Sequence, residues 1–428
     1  MKTYKYSDLS TSDIQKLVQR NVDQANEVRA VVEEVIAEVR ANGDKALISY
    51  AAKFDKVELE KLYLDKDELI TIAASVTTEQ KAAFEVAYHN IYKFHQAQLK
   101  TEDKIETMPG VTCWRELRPI EKVGLYIPGG SAVLPSTLLM LGIPALIAGC
   151  REIVVCSPPQ KDGKVNAFIA FVALLLGIDR IYLAGGAQAI AAMAYGTETI
   201  AKVDKIFGPG NQFVTKAKTI IQSTTTTAID MPAGPSEVLV IADETCNPSF
   251  VAADLLAQSE HGPDSQAILV CTSDKIADEV LLEVEKQTPA LPRAEIIRAA
   301  LKNSYFVITD TLDEAMSFSN AYAPEHLILA TLEWERLTAG ILNAGSIFLG
   351  NLTPESAGDY ASGTNHTLPT SAFARAYSGV SVDSFVKKIT FQHITAEGIA
   401  NIASTVEILA ELEGLLAHRN AISIRKEK

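Results

Sequence analysis

The sequence predicts an α/β fold with two parallel-sheet lobes facing a cleft, and three observations carry that prediction. From about Val123 onward, short apolar and β-branched runs alternate with helical segments. The alternation pauses at "TTTTAIDMPAGPSE" and then resumes, so the pattern occurs twice. A strand, helix, strand repeat is the mark of a parallel sheet covered on both faces. With 428 residues the chain is long enough for two separate cores.

Taken in order, the first hundred or so residues read as helical. "NEVRAVVEEVIAEVRANGDKALISYAAKFD" repeats apolar residues at three- and four-residue spacing, with Gly43 as a stop. "TTEQKAAFEVAYHNIYKFHQAQ" is a second long amphipathic helix; His89 and His95 on or near it read as helix surface or packing. The first βα series then runs "VGLYIP", an apolar helix, "EIVVCSP", "VNAFIAFVALLLG", "RIYLAG", "AQAIAAMAYG", "KIFGPG" and "NQFVTKAKTII". The second supplies strands "EVLVIAD", "AILVCTS", "YFVITD", "HLILAT" and "SIFLG", separated by helical stretches. From about Ser381 the chain ends in one long helix, "GIANIASTVEILAELEGLLAHRNAI".

Composition narrows the function. The chain is 47% hydrophobic and 21% charged, ordinary for a soluble globular protein. Its net charge of −14 argues against non-specific nucleic-acid binding and against anionic membrane surfaces. The apolar stretches Val133–Cys150 and Ala167–Ile178 fall short of a membrane span of about 20 residues. No apolar signal region opens the chain. Five cysteines without a C-x-x-C pair, three of them (Cys150, Cys156, Cys271) in or beside apolar runs, suit reduced thiols and a cytoplasmic protein.

Ligand sites in such folds gather in loops at strand ends. Three loops of the first series, Tyr126–Ala132, Ala184–Ile190 and Phe207–Phe213, set glycines beside a helix N-terminus, where free N–H groups can receive phosphate. None matches G-x-G-x-x-G; they are either tight turns or, taken together, a site for a nucleotide or another anion. "DMPAGPSE" joins the lobes. "QSEHGPD" ends an apolar helix at Gly262-Pro263 and puts Gln258 and His261 in its last turn: a pair of ligands, or a polar helix end facing the dipole. "APEHL" puts Glu325 and His326 before a strand, either an acid/base pair or a half-buried imidazole. "AGDYASGTNHTLPT" carries Asp359 and His366, and "ELEGLLAHR" places Glu413 and His418 on the terminal helix. Gln258, His261, Asp359 and His418 are donors of the kind zinc accepts, but their separations match no local zinc motif.

In order and spacing, "VGLYIPGGSAVLPSTLLML", "GGAQAIAAMAYGT", "KIFGPGNQFVTKAK", "IDMPAGPSEVLVIAD", "LLAQSEHGPDSQA", "NAYAPEHLIL", "GSIFLGNLTPESAGDYASGTNHTLPTSAFARAYSGVSVDSF" and "GLLAHRNAI" resemble the signature segments of the histidinol dehydrogenase family. The resemblance spans essentially the whole chain; local departures such as Val133-Leu134 touch no proposed ligand. It implies two Rossmann-like, incompletely doubly wound lobes with helical N- and C-terminal extensions used in dimerisation. The implied division is 1–25 for a dimerisation segment, 26–127 with 236–380 for the larger lobe, 128–235 for the NAD lobe, and 381–428 for an extension into the partner's site.

The implied activity is the zinc- and NAD+-dependent oxidation of L-histidinol to L-histidine through a bound aldehyde, in the last step of histidine biosynthesis. By the same resemblance Gln258, His261, Asp359 and His418 are zinc ligands, one ion per subunit, and Glu325 and His326 are the acid/base pair. Ser236, His366 and Glu413, with Tyr360 a weaker candidate, contact substrate together with those residues. Tyr126, Gln188 and Asn211 contact NAD+. The implied assembly is a homodimer in which Glu413 and His418 complete the neighbour's site. The alternative is a dehydrogenase of the same fold acting on another small alcohol, such as a sulfonated diol.

Overall fold

The apolar runs of the first series form a six-stranded sheet in a computed structural model that describes residues 1–20, 25–129, 133–232 and 234–426. In spatial order the strands are Tyr63–Asp65, Arg180–Leu183, Glu152–Ser157, Lys122–Tyr126, Lys205–Phe207 and Ala228–Ile229. All neighbours pair in parallel except the edge strand Tyr63–Asp65. From Lys122–Tyr126 the chain builds outward on one side, then returns to set Lys205–Phe207 on the other. That reversal opens a crevice at the carboxyl ends of these two strands, where open α/β sheets bind ligands.

Each face of this sheet has its own core. Helices Pro135–Ala148 and Ala167–Leu175 cover one face with residues such as Leu138, Ile143 and Ala173. Helices Ala25–Tyr50, Gly186–Tyr195 and Gln212–Thr224 cover the other. Residues 26–127, expected with 236–380, therefore pack mostly on the first sheet. The reason is local: Val32, Val35, Ile36 and Val39 form an apolar stripe that is buried against the helices of this sheet. Gly43 stops the first helix as expected: at φ 49° and ψ −127° it leaves helical geometry, and a second helical stretch runs on from the kink to Tyr50.

The second series forms a fully parallel sheet in the order Lys2–Lys5, Tyr305–Ile308, Gln266–Cys271, Glu237–Ala242, His326–Ala330 and Ser346–Leu349. Glu237–Ala242 is buried at every position, as a central strand with both faces covered must be. The N-terminal strand Lys2–Lys5, expected in a helical region, pairs at the edge, where Tyr4 packs edge-on against Tyr305 at 5.8 Å.

A third sheet, unanticipated from the sequence, joins Ile105–Met108, Val111–Pro119 and Val386–Ile394 in antiparallel fashion. Ile105–Met108 and Val386–Ile394 are largely exposed and Val111–Pro119 is mostly half-buried, so they lack the long apolar runs that marked the others. It carries the C-terminal helices Ala396–Leu412 and Leu416–Lys426. The single terminal helix expected there is broken at Gly414, φ 71°. A Cβ on Gly398 would come within 2.2 Å of the Gly110 carbonyl oxygen, so this junction requires glycine. Both C-terminal helices turn apolar side chains to solvent, with Leu412 78% and Leu416 62% exposed. Among the described residues no helix is long and apolar enough to cross a membrane. All five cysteines are free, with Cys156 and Cys271 buried and Cys150 half-buried.

Candidate active site

Parallel pairing of Glu237–Ala242 with His326–Ala330 sets Val238 beside His326, and so brings Glu237 next to Glu325. The Glu237 N–H donates to Glu325 Oε2 at 2.9 Å, and the Glu237 carbonyl oxygen lies 3.2 Å from His326 Nδ1. One backbone residue thus orients both halves of the pair. These groups stand at the amino ends of their strands, the edge opposite to the one where such sheets usually bind ligands.

The helix Pro248–Ser259 returns the chain to the same edge. Gln258 is fully buried, whereas His261 lies beyond the helix end and is exposed. His261 is therefore not in the last helical turn; its N–H reaches the Gln258 carbonyl at 3.3 Å in the turn that follows. Gly262 takes no left-handed conformation, so the helix ends without the glycine cap expected for it.

The short helix Glu355–Tyr360 supplies Glu355 and Asp359, four residues apart and on one face. His261, Glu355 and Asp359 offer donor atoms that all lie within 4.8 Å of one another. That span fits ligands around one ion held at about 2 Å per bond, and the nitrogen and oxygen donors suit zinc. Gln258 sits behind this trio. With its amide oriented by its partners, its nitrogen donates to the Glu355 carboxylate and its oxygen accepts the Glu237 N–H at 2.7 Å.

Electrostatics reinforce the case for a cation. His326 Nδ1 is 3.7 Å from both Glu325 and Glu355, and Nε2 is 3.6 Å from Asp359 Oδ1. Nε2 is buried without a hydrogen-bond partner. Burial pushes the Glu325 carboxyl up to about 8 against the opposing pull of His326. Burial also raises Glu355. For His326 burial acts downward, but Glu355, Glu325 and Asp359 together outweigh it and hold the imidazole up at about 10. Burial acts upward on Asp359, yet its close approach to His326 and attraction to His326, His366 and His261 leave it below the ordinary carboxylate value. Three carboxyl groups crowd one imidazole in a dry site, and the upward push on Glu325 and Glu355 reflects the cost of ionising them there, a cost that a bound cation would offset.

His366 ties the site to the first lobe. Its Nδ1 lies 2.8 Å from the Asp359 carbonyl oxygen, and its Nε2 lies 3.2 Å from Thr137 Oγ1 on the helix Pro135–Ala148. Burial lowers its pKa, which favours the neutral ring. Ser236 is half-buried immediately before Glu237, and Tyr360 is exposed at the end of its helix. Glu413 and His418 are not brought here. Glu413 caps Ala396–Leu412, His418 lies in the first turn of the next helix, and both are exposed.

The glycine loops lie across the crevice of the first sheet. Tyr126 ends its strand, Asn211 follows the adjacent strand Lys205–Phe207, and Gln188 lies on the helix Gly186–Tyr195. The buried Tyr126 hydroxyl accepts the Gly186 N–H at 3.1 Å, and burial pushes its pKa up to about 12. Asn211 caps Gln212–Thr224 through the N–H groups of Phe213 and Val214, at 3.1 and 3.2 Å. Gly208 (φ 131°) cannot carry a side chain, because a Cβ would meet the Tyr126 carbonyl oxygen at 2.2 Å. Gly130–Ala132 of the first loop, Ala233 of the linker and residues 21–24 of the N-terminal segment lie outside the described residues.

Glu355 and Glu237 are absent from the candidates drawn from sequence. The four-residue spacing in "ESAGD" was an available signal for Glu355. Glu237, at the head of an apolar strand, offered none.

Fold and side-chain chemistry together describe a two-lobed α/β enzyme with a buried acid–base centre beside a cluster of metal-ligand type. Comparison with known proteins makes the class specific: the family model described as histidinol dehydrogenase matches residues 18–426. The chain belongs to the histidinol dehydrogenase family and is an NAD-dependent oxidoreductase. It is 53% identical over 428 residues to the histidinol dehydrogenase of Bacteroides fragilis, covering 100% of this chain and 99% of that one. It is 52% identical over 427 residues to the chloroplastic enzyme of Arabidopsis thaliana, covering 99% and 91%. The crystal structure of the Elizabethkingia anophelis histidinol dehydrogenase superposes with a TM-score of 0.97 at 54% identity, covering 100% of this chain and 98% of that chain.

Proposed function

We propose that this chain oxidises L-histidinol to L-histidine in two successive NAD+-dependent steps through a bound aldehyde, as the last step of histidine biosynthesis. The observation that supports this best is the cluster of His261, Glu355 and Asp359, with donor atoms within 4.8 Å, set against the buried Glu325–His326 pair. Gln258, His261 and Asp359, with His418 from a second copy of the chain, are the proposed zinc ligands, one ion per subunit. Glu355 holds the Gln258 amide from behind. Zinc bound there supplies a template for the imidazole and amine nitrogens of the substrate, and NAD+ supplies the hydride acceptor for both oxidations.

The chain's own groups then manage protons and position. Ser236, His366, Tyr360 and the neighbour's Glu413 surround the substrate, while Tyr126, Gln188 and Asn211 hold the dinucleotide. In the first oxidation His326 accepts the carbinol proton as hydride leaves carbon. Engaging Asp359 with a cation removes one of the charges that hold the imidazole proton, and so brings His326 back toward a working base. Between the two oxidations His326 releases that proton to solvent; in the second, Glu325 deprotonates the water that adds to the aldehyde, and the neutral His326 takes the proton from the hydrate as the second hydride departs. Such groups typically contribute about 10²–10⁴-fold each.

The dimer is supported by the uncovered apolar faces of both C-terminal helices and by the exposure of Glu413 and His418, which are not among the residues gathered at their own chain's cluster. The test is NADH formation by the zinc-loaded protein with histidinol and with a sulfonated diol. Two NADH per histidinol are expected. Turnover of the diol alone would overturn the assignment, and one NADH with free aldehyde would overturn the two-step scheme.

A further inference from the structure

Arg20 belongs to none of the groups given a role above, yet each nitrogen of its guanidinium donates a hydrogen bond. Its side chain is 11% exposed. Nε and Nη2 donate to the two carboxylate oxygens of Glu237, each at 2.9 Å. Nη1 donates to the carbonyl oxygens of Val18 at 2.6 Å and Tyr322 at 2.9 Å. The guanidinium also lies 3.4 Å from the centroid of the Tyr322 ring.

The two residues it grips belong to the two segments that build the acid–base centre. Glu237 donates its N–H to Glu325 and turns its carbonyl oxygen toward His326 Nδ1. Tyr322 ends the helix Leu312–Tyr322; the chain then turns through Ala323 at φ 55° and arrives at Glu325. A third contact, from the Ser371 N–H to Glu237 Oε1 at 3.0 Å, fixes the same carboxylate from the loop that follows His366.

We infer that Arg20 is a positioning residue for the Glu325–His326 pair, acting through Glu237 on one side and Tyr322 on the other. The inference rests on the roles proposed for Glu325 and His326. A planar fork donating to both oxygens sets the plane of a carboxylate as well as its distance, which a lysine ammonium does not do. With the Glu237 side chain pinned, its backbone N–H and C=O keep their bearing on the pair. Reacting groups displaced by about 1 Å lose roughly 10²-fold in rate. Arg20 thereby links the N-terminal segment, which also forms the edge strand Lys2–Lys5, to the chemistry at the centre of the second sheet.

The test uses the full-length, zinc-loaded protein and two substitutions, Arg20→Lys and Glu237→Gln. Each keeps a hydrogen-bonding side chain of similar length, and each abolishes the charged fork. We expect kcat to fall about 10- to 100-fold in each. The histidinol and NAD+ KM values and the zinc content should change less than about twofold, and the double variant should be no worse than the weaker single one, because one contact is lost in all three. Folded variants with kcat within twofold of the parent would overturn the inference, as would a loss confined to KM or losses that add. Failure of both variants to fold would make Arg20 a stability residue only, and would overturn it equally. His326→Asn serves as the control: turnover at the parent rate in that variant removes the proposed role of His326 itself, whatever Arg20 does.

Discussion

His326 Nε2 lies 3.6 Å from Asp359 Oδ1, so the proposed base and a proposed metal ligand share one edge of the site. The same imidazole has Glu325 and Glu355 at 3.7 Å on its other side. It is a buried nitrogen pair set among carboxyl groups, and its behaviour depends on which of those groups are committed elsewhere.

Replacing His326 by Asn separates the two functions of that edge. His326→Asn should retain zinc at the parent stoichiometry while turnover falls about 10²–10⁴-fold. Metal analysis beside steady-state NADH production checks both halves, and near-normal oxidation of histidinol would remove His326 from the mechanism.

Glu325→Gln acts later in the sequence. Supplying histidinaldehyde directly isolates the second oxidation, where the loss should be greatest, again about 10²–10⁴-fold. An equal loss with histidinol in the first oxidation would count against water activation by Glu325.

Glu355 touches the proposed metal site through the Gln258 amide, and its own oxygens lie in the donor cluster. Glu355→Gln should weaken zinc retention about 10- to 100-fold, the usual effect of losing an outer partner of a metal ligand. Chelator titration reads this directly; unchanged retention would show that Glu355 plays no part in holding the ion.

Glu325 also imposes a pH dependence on stability. Its carboxyl is held at about 8 in the fold against an ordinary value of 4.5. A raised value means that the folded state binds the proton more tightly than the unfolded chain does. Stability is therefore full below the unfolded value and is lost as pH rises through about 8. Melting temperatures of the metal-free protein between those limits should fall with pH, and Glu325→Gln should flatten the slope. A parent slope that survives unchanged in the variant would contradict the burial argument.

Shared sites make a sharper prediction about assembly. Homodimers of His326→Asn and of His418→Ala should each be nearly inactive. Unfolded together and refolded, they should recover about a quarter of the parent activity, because half of the dimers are mixed and each mixed dimer has one intact site. No recovery in verified mixed dimers would show that His326 and His418 act in the same chain.

The sequence was most informative where periodicity and burial coincide. Both parallel sheets could be read from runs such as "EVLVIAD" and "HLILAT", because a strand covered on both faces must be apolar throughout. The three glycine loops were visible for a similar reason, since a backbone approach as close as that of Gly208 to Tyr126 admits one residue type. The antiparallel sheet was not visible: Val386–Ile394 pairs along its whole length with Val111–Pro119, but its side chains are mostly exposed and leave no strong apolar alternation.

Sequence by itself determined the α/β class, the order of most elements and, through signature segments, the family and its candidate residues. Tertiary structure decided which of those residues meet. Strand register placed Glu237 against Glu325 and His326, helix geometry brought Glu355 beside Asp359, and Arg20 reached Glu237 from the far end of the chain. It also left Glu413 and His418 exposed and not among the residues gathered at their own chain's cluster, beside helices with uncovered apolar faces. The physical reason is range. Periodicity and turn chemistry act over a few residues and are written locally, whereas a buried charge is stabilised by whichever partner the packing delivers, at any separation along the chain.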